Sequence, residues 1–200
     1  MAPSPSERHK IDSNAQLWIE KIRDGDTRAF ENLFLEFYAP LCRFAWQYVR
    51  DNSIAEEIVQ DVFLKLWQTR ENWEPRGSIR SYLYIAVKNR ALDIIKHKKI
   101  EDNYIVEQIQ SSNNKGQAVD DILHEKEFYK EAQKAITQLP ERCRLVYILH
   151  RRDELSYNEI AEILDISVKT VESQMSRALR MLRKHLSHYL PLVLISNLFC

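Results

Sequence analysis

"LSYNEIAEILDISVKTVESQMSRALRMLRKHL", Leu155 to Leu186, decides how this 200-residue chain is read. Its first half sets Ile160, Ile163 and Leu164 on one face, and its second half does the same with Val168, Val171, Met175, Ala178, Leu179 and Leu182. Three-and-four spacing of this kind belongs to amphipathic helices, so the stretch predicts two of them. Ser156 and Glu159 have the spacing of a capping box that would start the first, and Ala161 is small enough for a second helix to cross closely. "DIS", Asp165 to Ser167, is then the turn. Asp tolerates the left-handed conformation in which a chain often leaves a helix, and Ser167 can cap the next one. With its apolar stripe inward, the second helix turns Lys169, Thr170, Glu172, Ser173, Ser176, Arg177 and Arg180 outward. A short helix, a tight turn and a longer helix with a polar, basic outer face make a helix-turn-helix, whose second helix fits the major groove of DNA. An ordinary helical hairpin is the competing reading of this stretch alone.

The rest of the chain bounds the possibilities. A composition of 44% hydrophobic and 29% charged residues is that of a soluble globular protein. Only 3 Gly and 6 Pro punctuate it, and strict apolar alternation is nearly absent, so the fold class is all-α and a phosphate-cradling glycine loop is excluded. The formal net charge is +0, yet the charge is segregated. Arg76, Arg80, Lys88, Arg90, Lys96, Lys98 and Lys99 face the single acid Asp93 within one segment, while Glu101 to Glu127 is mostly acidic. Cys42, Cys143 and Cys200 are widely spaced and form no CxxC, so neither a disulfide framework nor a zinc site is indicated. His185 and His188 have no third ligand nearby, and no metal or cofactor is expected. No secretory leader is legible in "MAPSPSERHK", and reduced thiols in a cytoplasmic protein fit best.

Upstream, Asp26 is a plausible cap for a helix carrying Phe30, Leu33, Phe34, Phe37, Tyr38 and Leu41, with Pro40 expected to kink or interrupt it before Phe44, Ala45, Tyr48 and Val49. In "DNSIAEEIVQDVFLKLW", Ser53 and Glu56 again have capping-box spacing. Ala55, Ile58, Val59, Val62, Phe63, Leu66 and Trp67 form its apolar face, with Trp67 assigned to the core; Glu56, Glu57, Gln60, Asp61 and Lys65 stay outside. Pro75 and Gly77 break the pattern before "IRSYLYIAVKNRALDIIKHKK", where Leu83, Ala86, Ile94 and Ile95 are expected inside. The domain plan is a disordered lead-in over 1–14, a first helical domain over 15–99, a flexible linker over 100–120, a second helical domain over 121–186 and an apolar tail over 187–200. The tail is broken by Pro191 and falls short of the ~20 residues that span a bilayer, so it is expected to fold back as a short helix on an apolar groove of this chain, or alternatively on an inhibitory partner, rather than insert in a membrane.

"AEEIVQDVFLKLW", "SYLYIAVKNRALDIIK" and "LPERCRLVYILHRRDELSYNEIAEILDISVKTVESQMSRALRMLRK" closely resemble, in that order, three blocks of the extracytoplasmic-function group of bacterial RNA polymerase sigma factors. The resemblance covers most of Asp26 to Lys184. It implies two helical domains joined by a linker, binding to core RNA polymerase and promoter DNA, an anti-sigma factor as a further partner, and no catalytic activity. By it, Glu57, Gln60 and Asp61 would face the clamp helices of the polymerase's largest subunit. Trp73, Tyr82, Tyr84, Lys88, Asn89 and Arg90 would capture the melted minus-ten element, where aromatic rings and cations hold unpaired bases. Tyr82 and Tyr84 have a core reading as well, because aromatics at helical spacing usually pack. Lys169, Thr170, Glu172, Ser173, Ser176, Arg177 and Arg180 would meet the minus-thirty-five element. The chain departs from the family where members often carry Trp instead of Tyr82 and Gly instead of Asp165.

Two other functions compete. A freestanding helix-turn-helix regulator would need no acidic docking helix, against which "AEEIVQDVFLKLW" argues; a helical adaptor without DNA binding would not keep Lys169, Arg177 and Arg180 outward. The acids of the linker, Glu101, Asp102, Glu107, Asp120 and Asp121, are expected to mimic nucleic-acid charge in a basic polymerase channel, or merely to keep a tether soluble.

Overall fold

The computed structural model describes residues 17–75, 78–102 and 131–187, with side chains of the last five residues of the middle stretch left aside. The lead-in, residues 103–120 of the expected linker and residues 188–200 of the expected tail lie outside the described residues. Among the described residues all regular structure is helical. They divide into two compact units: the described residues up to 102 together with 158–165, and 131–157 together with 166–187.

The first unit is built from α1 (residues 17–23), α2 (Thr27–Val49), α3 (Asn52–Gln68) and α4 (Ile79–Asp102), with a short 3-10 turn at Arg70–Asn72. Gly25 makes the tight exit from α1 at φ 86°, a conformation that costs a side-chain-bearing residue energy. Asp26 then caps α2 as its sequence predicts, its carboxylate accepting from the backbone N–H groups of Arg28 at 2.9 Å and Ala29 at 3.1 Å. Pro40 does not interrupt α2, contrary to expectation. Its ring removes one hydrogen bond, while Phe37, Leu41 and Phe44 are buried on either side and hold the helix against its neighbours. The cap of α3 is also two residues earlier than the capping-box spacing suggests. Asp51 accepts from Ile54 N–H at 3.0 Å, so Ser53 lies inside the helix.

α2 packs on both α3 and α4, and α3 on α4. Leu33, Leu41, Ile58, Phe63, Leu66 and Leu83 are buried in this core, with Phe30, Phe34 and Phe63 in edge and tilted ring contacts of 4.8–6.0 Å that reach Trp67. Trp67 itself is only half-buried, because it sits at the rim with Arg70 over its ring at 4.6 Å. On α4 the buried set is Ile79, Ser81, Leu83, Tyr84, Val87 and Ala91, whereas Ala86, Ile94 and Ile95 are half-buried. The buried stripe thus lies one step to the side of the expected one, on the face that meets Phe44 of α2. α4 also runs on to Asp102, so the first residues assigned to the linker are helical.

In the second unit, α5 (residues 131–137), α6 (Glu141–Arg151) and α8 (Val168–His185) share one apolar cluster of Ala135, Leu139, Cys143, Ala178 and Leu182, rimmed by Ile136, Tyr147, Met181 and Leu186. Pro140 separates α5 from α6, as expected for a residue that cannot donate into a preceding turn. After α6 the chain folds back at Glu154, φ 59°, where Leu155 N–H donates to the carbonyl of Leu149 and His150 Nδ1–H donates to that of Leu155 at 2.8 Å. α7 (Tyr157–Leu164), which after its first residue is grouped with the first unit, follows and buries Ile160, Ala161 and Ile163.

Candidate nucleic-acid interface

The turn after α7 takes the form its residues dictate. Asp165 adopts φ 57°, and Ser167 Oγ caps α8 by accepting from Thr170 N–H at 3.1 Å, with the two hydroxyls 2.8 Å apart. A helix start leaves four backbone N–H groups without an intrahelical partner, and this cap satisfies one while fixing where α8 begins. The buried residues Val171, Met175, Ala178 and Leu182 then recur at four, three and four residues. All seven residues predicted for the outer face, Lys169, Thr170, Glu172, Ser173, Ser176, Arg177 and Arg180, are exposed. The result is a helix whose entire outward strip is polar or charged, with Arg183, Lys184 and His185 in its last turn, where cations complement the helix dipole.

On α3, Glu57 and Gln60 are exposed, together with Glu56 and Leu64. Gln60 is not independent of the core side: it hydrogen-bonds Tyr38 of α2, whose phenol burial pushes above its ordinary value while that bond pulls the other way. Asp61 is half-exposed and already engaged. Arg90 of α4 donates to its carboxylate through Nη2 at 2.6 Å and Nε at 3.1 Å. Both residues line a groove of about 660 Å³ between α3 and α4, together with Lys65, Tyr82, Asn89 and Asp93.

The six residues assigned to minus-ten capture are not equivalent. Tyr84 is 1% exposed and its ring lies 5.0 Å from that of Phe44, so it is a core residue. Trp73 is 3% exposed and packs against Tyr82 at 5.8 Å. Both rings are packed inside, the position that the core reading of aromatics at helical spacing describes for Tyr84. Tyr82 and Lys88 are half-buried and Asn89 and Arg90 exposed, so these four remain on the surface. Sequence reasoning missed Gln174, half-buried on α8, whose amide oxygen accepts from the Cys143 thiol at 2.9 Å. Its place four residues after Thr170 and three before Arg177 was the available signal.

Comparison with known proteins places both halves of this arrangement. Residues 33–100 match the family model of sigma-70 region 2, and residues 129–182 match that of sigma-70 region 4, so the two matches together cover more than half of the chain. An extracytoplasmic-function (ECF) RNA polymerase sigma factor of Bacillus subtilis is 27% identical over 84% of this chain and 94% of its own length. The ECF sigma-E factor of Escherichia coli is 27% identical over 82% of this chain and 89% of its own. The chain belongs to the ECF sigma factors of the sigma-70 family.

The fold of this sigma factor has counterparts among solved structures. That of CnrH, in complex with the cytosolic domain of CnrY, has a TM-score of 0.56 at 20% identity, over 88% of this chain and 98% of that one. The sigma factor RpoE of Bartonella quintana, in complex with the anti-sigma factor NepR, gives 0.56 at 22%, over 79% of this chain and 96% of its own. Within this sigma factor, region 2 holds α3, the α3–α4 groove and α4, and region 4 holds the capped α8. No helix among the described residues is long and apolar enough to cross a membrane.

Proposed function

We propose that this protein joins core RNA polymerase as an alternative sigma factor, directs it to promoters with two recognised elements and assists opening of the DNA. It acts by binding and orientation, with the nucleotidyl chemistry left to the polymerase, and it works in the cytoplasm. An anti-sigma factor, of the kind seen on its Bartonella structural counterpart, would hold it inactive by occupying the same faces.

The observation that carries this reading is the division of charge between two surfaces. α8 offers an unbroken polar and basic strip behind a capped turn, suited to the major groove, while α3 offers Glu57 and Gln60 beside exposed Leu64, suited to a basic helical partner. Lys169, Glu172, Ser173 and Arg177 of α8 are assigned to base edges, with Thr170 and Ser176 beside them and Arg180 on a phosphate. Arg183 and Lys184, further along, are assigned to phosphates, which position the helix without reading sequence. Tyr82, Lys88, Asn89 and Arg90 are assigned to the opened minus-ten strand. Region boundaries near 15–99 and 121–186 bracket these surfaces.

Core binding tests the assignment of α3. In size-exclusion co-elution with core polymerase, Glu57→Lys should shift the protein to the free fraction while its helical circular dichroism stays unchanged. Normal co-elution of a folded Glu57→Lys protein would remove α3 from the interface.

A further inference from the structure

Thr170, Gln174 and Arg177 form one strip of α8, at spacings of four and three residues. Thr170 and Arg177 are exposed, whereas Gln174 is half-buried because its amide turns toward α6. There the Cys143 thiol, fully buried in the apolar cluster of the second unit, donates to Gln174 Oε1 at 2.9 Å. Burial keeps this thiol protonated by pushing its pKa up; the charge of Arg177 pulls the other way, so that guanidinium belongs to the same neighbourhood. A thiol is a weak donor and a weak acceptor, and here it is the amide oxygen that lies against the sulfur. The amide therefore rests with its oxygen inward and its NH2 group turned away from Cys143.

That orientation has a chemical consequence. A free glutamine presents one acceptor and two donors, and both are needed for the paired contact with N6 and N7 of adenine. The oxygen keeps a second lone pair, but it is turned inward to the thiol, so what Gln174 presents outward is its NH2 donors. We infer that Gln174 is a further promoter-contacting residue of α8 and that Cys143 is its positioning residue, holding it as a donor for an acceptor on the DNA. That acceptor is guanine O6 or N7, adenine N7, thymine O4 or a phosphate oxygen, whereas cytosine, whose groove edge offers only a donor, is disfavoured and the paired contact with adenine N6 and N7 is lost. The inference rests on α8 being the helix that enters the major groove.

The test uses holoenzyme assembled from the full chain and core polymerase, selecting from duplexes with a randomised upstream element. Wild type, C143S, C143A, Q174A, Q174E and R177A are compared, with thermal melts to confirm folding. If the acceptor is a base, wild type disfavours cytosine at one position by about 5-fold, the worth of one hydrogen bond. C143S keeps its donor and keeps that preference, C143A frees the amide to turn its oxygen outward and accepts cytosine there, and Q174A loses discrimination. Q174E leaves Cys143 in place but presents acceptors only, and shifts the preference to cytosine, whose N4 donates; this arm does not depend on C143A folding. If the acceptor is a phosphate, Q174A and C143A weaken all duplexes alike by about 5-fold and C143S does not. Selection and affinity unchanged in Q174A, or C143S and C143A indistinguishable, would reduce the contact to a packing bond and overturn the proposal. R177A separates the two levels: if it alters selection while Q174A does not, only this inference falls; if neither does, the reading of α8 falls with it.

Discussion

The Arg90 guanidinium of α4 grips the Asp61 carboxylate of α3 through two nitrogens, at 2.6 and 3.1 Å, and so ties the helix assigned to polymerase to the helix assigned to the minus-ten strand. Its side chains are 43% and 40% exposed, which leaves the pair open to water and salt. Exposed pairs contribute at most about 1 kcal/mol. In a double-mutant cycle of Asp61→Asn and Arg90→Gln, followed by urea unfolding, the coupling should stay below about 1 kcal/mol and fade in molar salt, where the screening length is about 3 Å. A salt-independent coupling well above that would mean that the pair is held as a structural strut.

The two tyrosines of α4 should separate stability from function. Tyr84→Ala removes a fully buried ring from the contact with Phe44 and should cost about 3–5 kcal/mol of unfolding free energy. Tyr82→Ala, at a half-buried position, should cost less than about 2 kcal/mol. It should nevertheless reduce promoter opening, read as permanganate reactivity of unpaired thymines, because a ring at the surface is the one able to stack on a base. Opening defects confined to Tyr84 variants of normal stability would reverse the assignment.

At the turn before α8, backbone conformation sets two further outcomes. Ser167→Ala removes the cap on Thr170 N–H and should lower stability by about 1 kcal/mol. Asp165 sits at φ 57°, so Asp165→Val should cost about 1–2 kcal/mol while Asp165→Gly holds or raises the melting temperature. Equal melting temperatures for the Val and Gly variants would contradict the left-handed turn.

The Cys143 thiol gives the second unit a pH signature. Burial raises its pKa above the ordinary value of 9.0, so the folded state favours the protonated thiol more than the unfolded chain does. The unfolded state then binds fewer protons above about pH 9, and stability falls with rising pH there. Below the ordinary thiol value the contribution is fully present. Stability measured between pH 8 and 10.5 should decline less steeply in C143A than in wild type; parallel profiles would remove the thiol from the linkage.

Much of this was legible in the sequence because it depends on periodicity and local chemistry. The apolar stripe of α8, the outward set from Lys169 to Arg180, the Ser167 cap and the left-handed Asp165 are all short-range consequences of residue type and spacing. What was not legible depends on tertiary neighbours. Asp51 and Ser53 are both competent caps, and only the packing of Ala55 and Ile58 decides which one starts α3. Tyr82 and Tyr84 differ by two positions in sequence and by which helix they meet, so their separate fates follow from Phe44. Asp61 reads as a free acid until Arg90, 29 residues later, is brought beside it. Pro40 reads as a breaker, yet the burial on either side of it outweighs one lost hydrogen bond.

Run-off transcription measures the function itself. Core RNA polymerase freed of its own sigma factors, mixed with this protein and sheared genomic DNA, should yield discrete transcripts that require both proteins and that vanish with Glu57→Lys or with Arg177→Ala in α8. Absence of any such transcript, together with sequence-specific binding of the isolated protein as a dimer on palindromic DNA, would contradict a sigma factor and identify a freestanding regulator.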